Sequence, residues 1–365
     1  GGAAALSGLL CELSAAVEVV CCGRPPALKA LGNVSFEVLD CISAAGPGPA
    51  YPGAGNWFKD VAPDVLLTDT VNLIRCPESV LLQKFWRLAD DLGIPSFAYV
   101  DCWWGYGIRF LRPGERTAAV MPYTIAVADD IMKTEMIEEG FDAKRIQVLG
   151  NPRFERLLNQ AQPNRKTARR NLGLMDGEKL LVHASQPATA FLGSDVESTW
   201  GFSEFSILRW LLEGFERLDA DERKVTRLVV KPHPEEDIEP LLDIVASASQ
   251  QGVVAEVNEV TPMLELVEAA DLVTGINSIL LLEALILGVP AVSLQPNLKR
   301  EDMLLPTRIG AMRLIIEPRE IPELVERLVR DQSFGPSLLE ARGLYPLISD
   351  ATKRWKQALF QGKVL

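Results

Sequence analysis

The sequence predicts an α/β protein of two domains, each a parallel sheet covered by helices on both faces. Three observations carry that prediction. The chain has 365 residues, 48% of them hydrophobic, which is long and apolar enough for two ordinary cores. Short apolar runs alternate with helical patterns along its whole length, the signature of a parallel sheet. The alternation pauses once, at Asn159–Arg170, a polar stretch with a proline and four basic residues.

The elements follow in order. Val17–Cys22, Phe36–Leu39, Val65–Thr68, Phe97–Val100, Ile125–Val127 and Ile146–Leu149 read as strands, with helices such as Ala4–Leu13 and Ser79–Leu92 between them. After the pause come strands at Lys179–His183, Leu228–Val230, Val253–Val257, Leu272–Thr274, Ala291–Leu294 and Arg313–Ile316. The predicted boundaries are therefore 1–160 for an N-terminal domain and 161–345 for a C-terminal one. The segment 346–365 follows Pro346 and carries a last helix, about Ser349–Gln361. At the start, Gly1-Gly2-Ala3 runs straight into a helix with no strand before it. A sheet lacking a central strand leaves backbone groups unpaired, so residues upstream of Gly1 are the expectation, with a differently built sheet as the alternative.

The totals exclude some functions. A formal charge of −12 argues against a general nucleic-acid binder, which needs a basic surface, but leaves room for a nucleotide in one local pocket. No apolar run is long enough to span a bilayer. All six cysteines, Cys11, Cys21, Cys22, Cys41, Cys76 and Cys102, lie in the first third, and none forms a Cys-x-x-Cys pair. Reduced thiols packed in a core are expected, which favours the cytoplasm, with zinc or disulfides as alternatives.

The chemistry concentrates between Lys231 and Pro296. An apolar strand ends in Lys231-Pro232-His233-Pro234. A second ends in Gly275-Ile276-Asn277-Ser278, a small polar turn that opens an apolar helix carrying Glu283 and stopping at Gly288 before Pro290. A helix N-terminus is a ready anion site. Asn277 and Ser278 fit a phosphate turn, and plain N-capping is compatible with that. Both histidines of the chain, His183 and His233, follow apolar strands, and ligands of a doubly wound sheet bind outside the carboxyl ends of strands. For His183 a structural role stands beside the binding one. Lys231 offers a charge-assisted contact to phosphate, or is simply solvated. Glu283 is the one charge in its helix; it needs a partner, water or a salt bridge at the helix edge.

This order of motifs resembles the nucleotide-sugar half of the glycosyltransferase B superfamily. That group includes sugar-nucleotide 2-epimerases, lipid A disaccharide synthase and CDP-glycerol or CMP-sugar transferases. The resemblance rests on Gly150-Asn151-Pro152-Arg153, Lys231-Pro-His233-Pro, Asn277-Ser278 and Glu283-Ala-Leu-Ile-Leu-Gly288-Val-Pro290. It implies two Rossmann-like doubly wound domains facing across a cleft, with the last helix crossing back to the N-terminal domain. It implies a donor-binding set of His183, Ser185, Gln186, Lys231, His233, Gly275, Asn277, Ser278, Glu283, Asn151 and Arg153, with Glu283 on the ribose hydroxyls. The Gly193–Glu204 stretch reads as a functional or a simple loop, and Glu204 joins the catalytic candidates.

On the N-terminal side, Asp101 follows a strand and precedes Trp103, Trp104 and Tyr106. Inverting transferases need a base on the acceptor hydroxyl, and Asp101 is the first choice. Asp69, after the strand Val65–Thr68, and a structural cap are the alternatives. No Asp-x-Asp follows a strand and histidines are few, so metal independence is expected, with no cofactor beyond the nucleotide sugar itself. No Gly-x-Gly-x-x-Gly fingerprint supports a dehydrogenase.

The resulting expectation is a metal-independent glycosyltransferase. It would move a sugar from a CMP-, CDP- or UDP-linked donor to a saccharide, lipid-linked or protein acceptor, in the cytoplasm or at the inner membrane face. The alternatives are a hydrolysing 2-epimerase, which needs no acceptor but further acidic residues, and a non-catalytic nucleotide-sugar binder.

Overall fold

The computed structural model describes residues 2–23, 37–40, 53–71, 79–111, 118, 120–160 and 164–360. The chain divides into two compact units, Gly1–Asn159 with Pro346–Leu365, and Gln160–Tyr345. Both are parallel α/β units.

In the N-terminal unit, β1 (Val20–Gly23) pairs in parallel with β2 (Glu37–Asp40). A four-stranded parallel sheet follows in the order β3 (Leu66–Asp69), β4 (Ser96–Tyr99), β5 (Thr124–Val127), β6 (Ile146–Val148). Apolar side chains fill both faces of this sheet. On one, the helix Gly2–Leu13 inserts Ala5, Leu6, Leu9 and Leu13 beside Phe97, Tyr99 and Trp355. The other holds Phe58, Leu81, Phe85 and Ala89 from the helices Ala54–Val61 and Ser79–Asp91. The last helix, Ala351–Leu359, packs within this unit: Trp355 donates from Nε1 to the Gly150 carbonyl at 3.1 Å, and Glu155 accepts from the Thr352 amide at 2.6 Å.

The C-terminal unit holds β7 (Lys179–Ala184), β8 (Thr226–Lys231), β9 (Val254–Val257), β10 (Leu272–Gly275), β11 (Ala291–Leu294) and β12 (Arg313–Ile315). All pair in parallel, in the order β12-β11-β10-β7-β8-β9. Central β10 and β11 are buried throughout, while edge strand β9 alternates exposed and half-buried residues, as one solvated edge requires. The helices Glu204–Glu216, Glu239–Gln250 and Glu320–Arg330 cover one face through residues such as Leu211, Leu241 and Leu324. Arg165–Asn171, Met263–Ala269 and Ile279–Ile286 cover the other. Each such buried leucine contributes about 1.5–3 kcal/mol.

Several sequence expectations shift. β1 starts at Val20 rather than Val17, because the turn after the first helix takes the Val17 amide onto the Leu13 carbonyl. The polar stretch after Asn159 is not all linker: Asn164 caps the helix Arg165–Asn171. That helix is pinned by Arg165 and Arg169, whose guanidinium groups meet Asp271 at 2.9 and 3.1 Å. Cys11 is exposed rather than packed in a core, because Ala5, Leu6, Leu9 and Leu13 occupy the buried stripe of its helix. Cys21 and Cys102 are half-buried free thiols, whereas Cys41, Cys76 and the start of the strand expected at Phe36 lie outside the described residues. Among the described residues no helix is long and apolar enough to cross a membrane.

Gly150 supplies a stability test. Its φ is +80°, and a Cβ there would lie 2.8 Å from the side chains of Ile348 and Ala351. Left-handed strain of about 1–2 kcal/mol and overpacking of about 1–3 kcal/mol then add, so Gly150→Ala is expected to destabilise the protein by about 2–5 kcal/mol. Gly252, at φ +84° with open space around it, is the control: Gly252→Ala costs about 1–2 kcal/mol, strain alone. Urea denaturation of the two variants checks the contrast.

Candidate functional site

From β7 the C-terminal sheet grows one way through β8 and β9, and the other way through β10, β11 and β12. The strand order therefore reverses between β7 and β10. The helices that follow β7 and β10 cover opposite faces of the sheet, and ligands of such sheets bind outside the carboxyl ends of the strands at this switch point. The candidate donor residues of the C-terminal unit gather at these ends, at that of β8 and in the helix that follows β10.

Two contacts join β7 to β10. Inside the sheet, His183 and Thr274 are register partners, and His183 Nδ1 lies 3.0 Å from Thr274 Oγ1. At the rim, the Gln186 side chain donates from Nε2 to Asn277 Oδ1 and accepts the Asn277 backbone N–H, both at 2.9 Å. Gly275 lets the strand ends approach, since a Cβ there would sit 3.2 Å from the Ala184 carbonyl oxygen. Ser278 then caps the helix Ile279–Ile286, its side chain accepting the Leu280 amide. Glu283 is buried in the second turn.

A third set joins β7 to β8. Ser185, nearly buried, donates its hydroxyl to Glu236 Oε1 at 2.5 Å, and Glu236 Oε2 accepts the His233 backbone N–H at 2.8 Å. Burial pushes the Glu236 carboxyl up, and the nearby Glu204 charge adds to that. The His233 ring accepts the Glu235 amide on Nδ1 at 3.2 Å, so the neutral ring carries its proton on Nε2, and it meets Phe191 edge-on at 5.6 Å. Burial lowers the His233 pKa.

Three candidates are engaged by the protein itself. His183 is inside the sheet and 1% exposed, so a ligand would meet the residues above it. Lys231 turns its ammonium onto the carbonyls of Glu259 and Thr261, at 2.6 and 2.9 Å, and so pins the loop after β9. Glu204 is buried and accepts the Thr189 amide and hydroxyl at 3.0 and 2.9 Å, so it braces the segment after β7. That segment holds the short helices Ala188–Leu192 and Val196–Thr199 rather than open loop.

The remaining candidates belong to the N-terminal unit. Asn151 is buried and its side chain accepts the Arg153 amide at 2.9 Å, which caps the helix Pro152–Asn159. Asp101 follows β4 and forms an ion pair with Arg109 at 3.1 Å. Asp69 ends the neighbouring strand β3, opposite Tyr99 in the register. Burial lifts its carboxyl to about 6, helped by the Asp101 charge. Sequence reading missed Glu236, Thr274, Thr70 and Arg109. Glu236 had a signal: a carboxylate three residues after His233 is placed to accept a backbone N–H, as in a capping box. Arg109 had none, because its partners are brought together only by the sheet.

Solved structures similar to this chain share its whole architecture. The UDP-GlcNAc 2-epimerase from Neisseria meningitidis bound to UDP-GlcNAc superposes with a TM-score of 0.66 at 15% identity, over 99% of this chain and 97% of that one. The UDP-GlcNAc 2-epimerase from Methanocaldococcus jannaschii gives 0.61 at 15%, over 98% and 96%. The Anabaena HepE protein in complex with UDP-glucose gives 0.62 at 12%, over 97% and 94%. The chain has the glycosyltransferase B fold. No family model and no curated protein sequence matches it.

His183 makes the stability of the C-terminal unit depend on pH. Burial lowers its pKa from 6.5 to about 4. The unfolded chain therefore binds more protons between these values. The contribution is complete above pH 6.5 and is lost as pH falls, by about 3 kcal/mol in all. Urea denaturation between pH 7 and 4 is expected to show this slope, and His183→Gln to flatten it. An equal slope in the variant would remove His183 as its source.

Proposed function

We propose that this protein acts on a nucleotide-linked sugar and inverts its C2 centre, as a 2-epimerase, rather than passing the sugar to an acceptor. One observation carries this reading: Asp69 and Asp101 sit at neighbouring strand ends of the N-terminal unit, with Arg109 on Asp101. Epimerisation at C2 needs a base on one face and an acid on the other, whereas glycosyl transfer to a hydroxyl needs a base on the acceptor. The names of the structural neighbours, two of them UDP-GlcNAc 2-epimerases, support the same choice.

The chemistry follows from the substrate class. A C2–H bond beside a ring hydroxymethine is not acidic. Its removal is feasible when the C1–O bond to the diphosphate breaks in the same step, which leaves a C1=C2 double bond and free nucleoside diphosphate. Protonation of C2 from the other face then inverts that centre. Addition of water to C1 gives the free sugar; return of the diphosphate gives the epimeric nucleotide sugar. The C-terminal unit would stabilise the leaving diphosphate with the N–H groups that open the helix Ile279–Ile286 and with His233 Nε2–H. Glu283 is assigned to the ribose hydroxyls, where a carboxylate accepts two protons. UDP is the favoured nucleotide, with CDP and CMP as the other members of the class. The reaction is proposed to be metal-independent, so EDTA is expected to leave turnover unchanged.

The test is incubation with UDP-N-acetylhexosamines in deuterated water, without acceptor. Deuterium at C2 of the product, with an inverted C2 centre, is the expected outcome, and free UDP identifies the hydrolysing form. Asp101→Asn is expected to slow the exchange by about 10²-fold or more. Nucleotide release that requires an added saccharide or lipid acceptor, with no deuterium at C2, would replace this reading with glycosyl transfer.

A further inference from the structure

The loop after β8 carries His233 between two prolines, and its hydrogen bonds can be counted through. Pro232 and Pro234 have no amide N–H. The His233 N–H goes to Glu236 Oε2 at 2.8 Å, the Glu235 N–H to His233 Nδ1 at 3.2 Å and the Glu236 N–H to the His233 carbonyl at 3.0 Å. Pro234 is the second residue of that last turn, where its fixed φ is favoured. The backbone of residues 232–236 therefore keeps no N–H for an anion. Among the described residues, the one donor of this loop without a partner is the Nε2–H of His233. The direction of that donor depends on Glu236. One of its oxygens takes the loop's own amide, and the other accepts the hydroxyl of Ser185, which follows β7, at 2.5 Å. The Ser185 amide donates to the Lys231 carbonyl at 2.9 Å, so backbone and carboxylate tie the same two strand ends together. Phe191 meets the imidazole edge-on at 5.6 Å, and Glu204 holds the start of the Phe191 helix through Thr189.

We propose that Glu236 is the positioning residue of His233: by joining the His233 amide to the Ser185 hydroxyl it fixes the imidazole at the strand ends, with Nε2–H as the single donor this loop presents to the anionic group of a ligand. The assignment deepens the proposed function, on which it rests for the identity of that group as a nucleoside diphosphate. A carboxylate suits the task because it accepts at both oxygens. Burial raises the Glu236 carboxyl, the two hydrogen bonds it accepts oppose that, and the Glu204 charge adds to the rise. Glu236 makes no ligand contact of its own in this assignment. Its loss removes the direction of the donor and not the donor, so it acts only through His233.

The experiment reads the ring directly. The chain has two histidines, so full-length protein carrying ¹⁵N-labelled histidine shows two imidazoles by NMR, and the His233 signals are those lost in His233→Ala. In the wild type its ring is expected as the Nε2–H tautomer alone. In Glu236→Ala a mixture of both tautomers is expected, and UDP affinity, measured by calorimetry, is expected to fall about tenfold or more, the scale of one charged hydrogen bond. Glu236→Gln keeps an acceptor for the His233 amide and is expected to keep the wild-type tautomer. His233→Ala is expected to lose UDP affinity to a similar degree, and the double variant Glu236→Ala/His233→Ala to lose no more, because the two residues act as one. If Glu236→Ala does not fold, Ser185→Ala takes its place: it frees the other end of the carboxylate, with a smaller change expected in the same direction. Additive losses, or a wild-type tautomer in the folded variant, would overturn the assignment. A changed tautomer in a protein whose wild type does not bind UDP leaves Glu236 as the positioning residue and removes the proposed function instead.

Discussion

The parallel pairing of β7 with β10 is the constraint on which the C-terminal unit depends. Register partners Leu181–Leu272 through Ala184–Gly275 bring two segments together that lie 91 residues apart at the Gln186–Asn277 contact. Because the strand order reverses at this pair, the chain leaves it in two directions. The switch point is therefore a consequence of topology. What the sequence adds is a seam of polar contacts along it: His183 to Thr274 in the dry sheet, and the reciprocal Gln186–Asn277 amide pair at the rim. A neutral imidazole suits the inner position, since a charged one would be costly there.

Most polar groups at the strand ends are bound to one another before any ligand arrives. Ser185, Glu236 and the His233 amide form one network. On the next strand, Gln295 donates to Ser293 at 3.0 Å and to Asp302 at 2.7 Å, and Asp302 also takes the Leu304 amide. Lys231 is committed to loop carbonyls. A rim built this way is preorganised, which lowers the entropy lost on binding. It also sets the kind of attraction on offer: an anion meets backbone N–H groups and a neutral histidine rather than a cluster of ammonium groups. Donors of this kind would read the position of an anionic group as much as its charge.

The fold was legible because its signals are local. Strands such as Leu228–Val230 and Ala291–Leu294 announce themselves by runs of apolar residues, and Gly288 with Pro290 marks a helix end regardless of tertiary context. The two-domain α/β class followed from counting these. The site was legible only in outline. Asn277, Ser278 and His233 could be placed at strand ends, but what their neighbours do could not. Lys231 and Glu204 read as ligand-facing because a charged side chain near a strand end has no visible partner in sequence. In the structure those partners are carbonyls and a threonine 15 to 30 residues away. Arg109 and Thr70 escaped for the same reason, being joined across 39 residues by β3 and β4.

The two units carry different electrostatics at their strand ends. The N-terminal unit carries the carboxyl groups of Asp69 and Asp101 at neighbouring strand ends, with Arg109 already paired to Asp101, an arrangement unfavourable for a phosphate. The C-terminal unit offers the positive end of the helix Ile279–Ile286 beside a neutral histidine. A nucleotide sugar is itself asymmetric, anionic at the diphosphate and neutral at the sugar ring. Carboxyl groups accept hydrogen bonds from sugar hydroxyls and repel phosphate oxygens, whereas helix N–H groups do the reverse. Each unit's strand ends therefore favour a different kind of chemical group, and the ends that suit a hydroxyl penalise an anion.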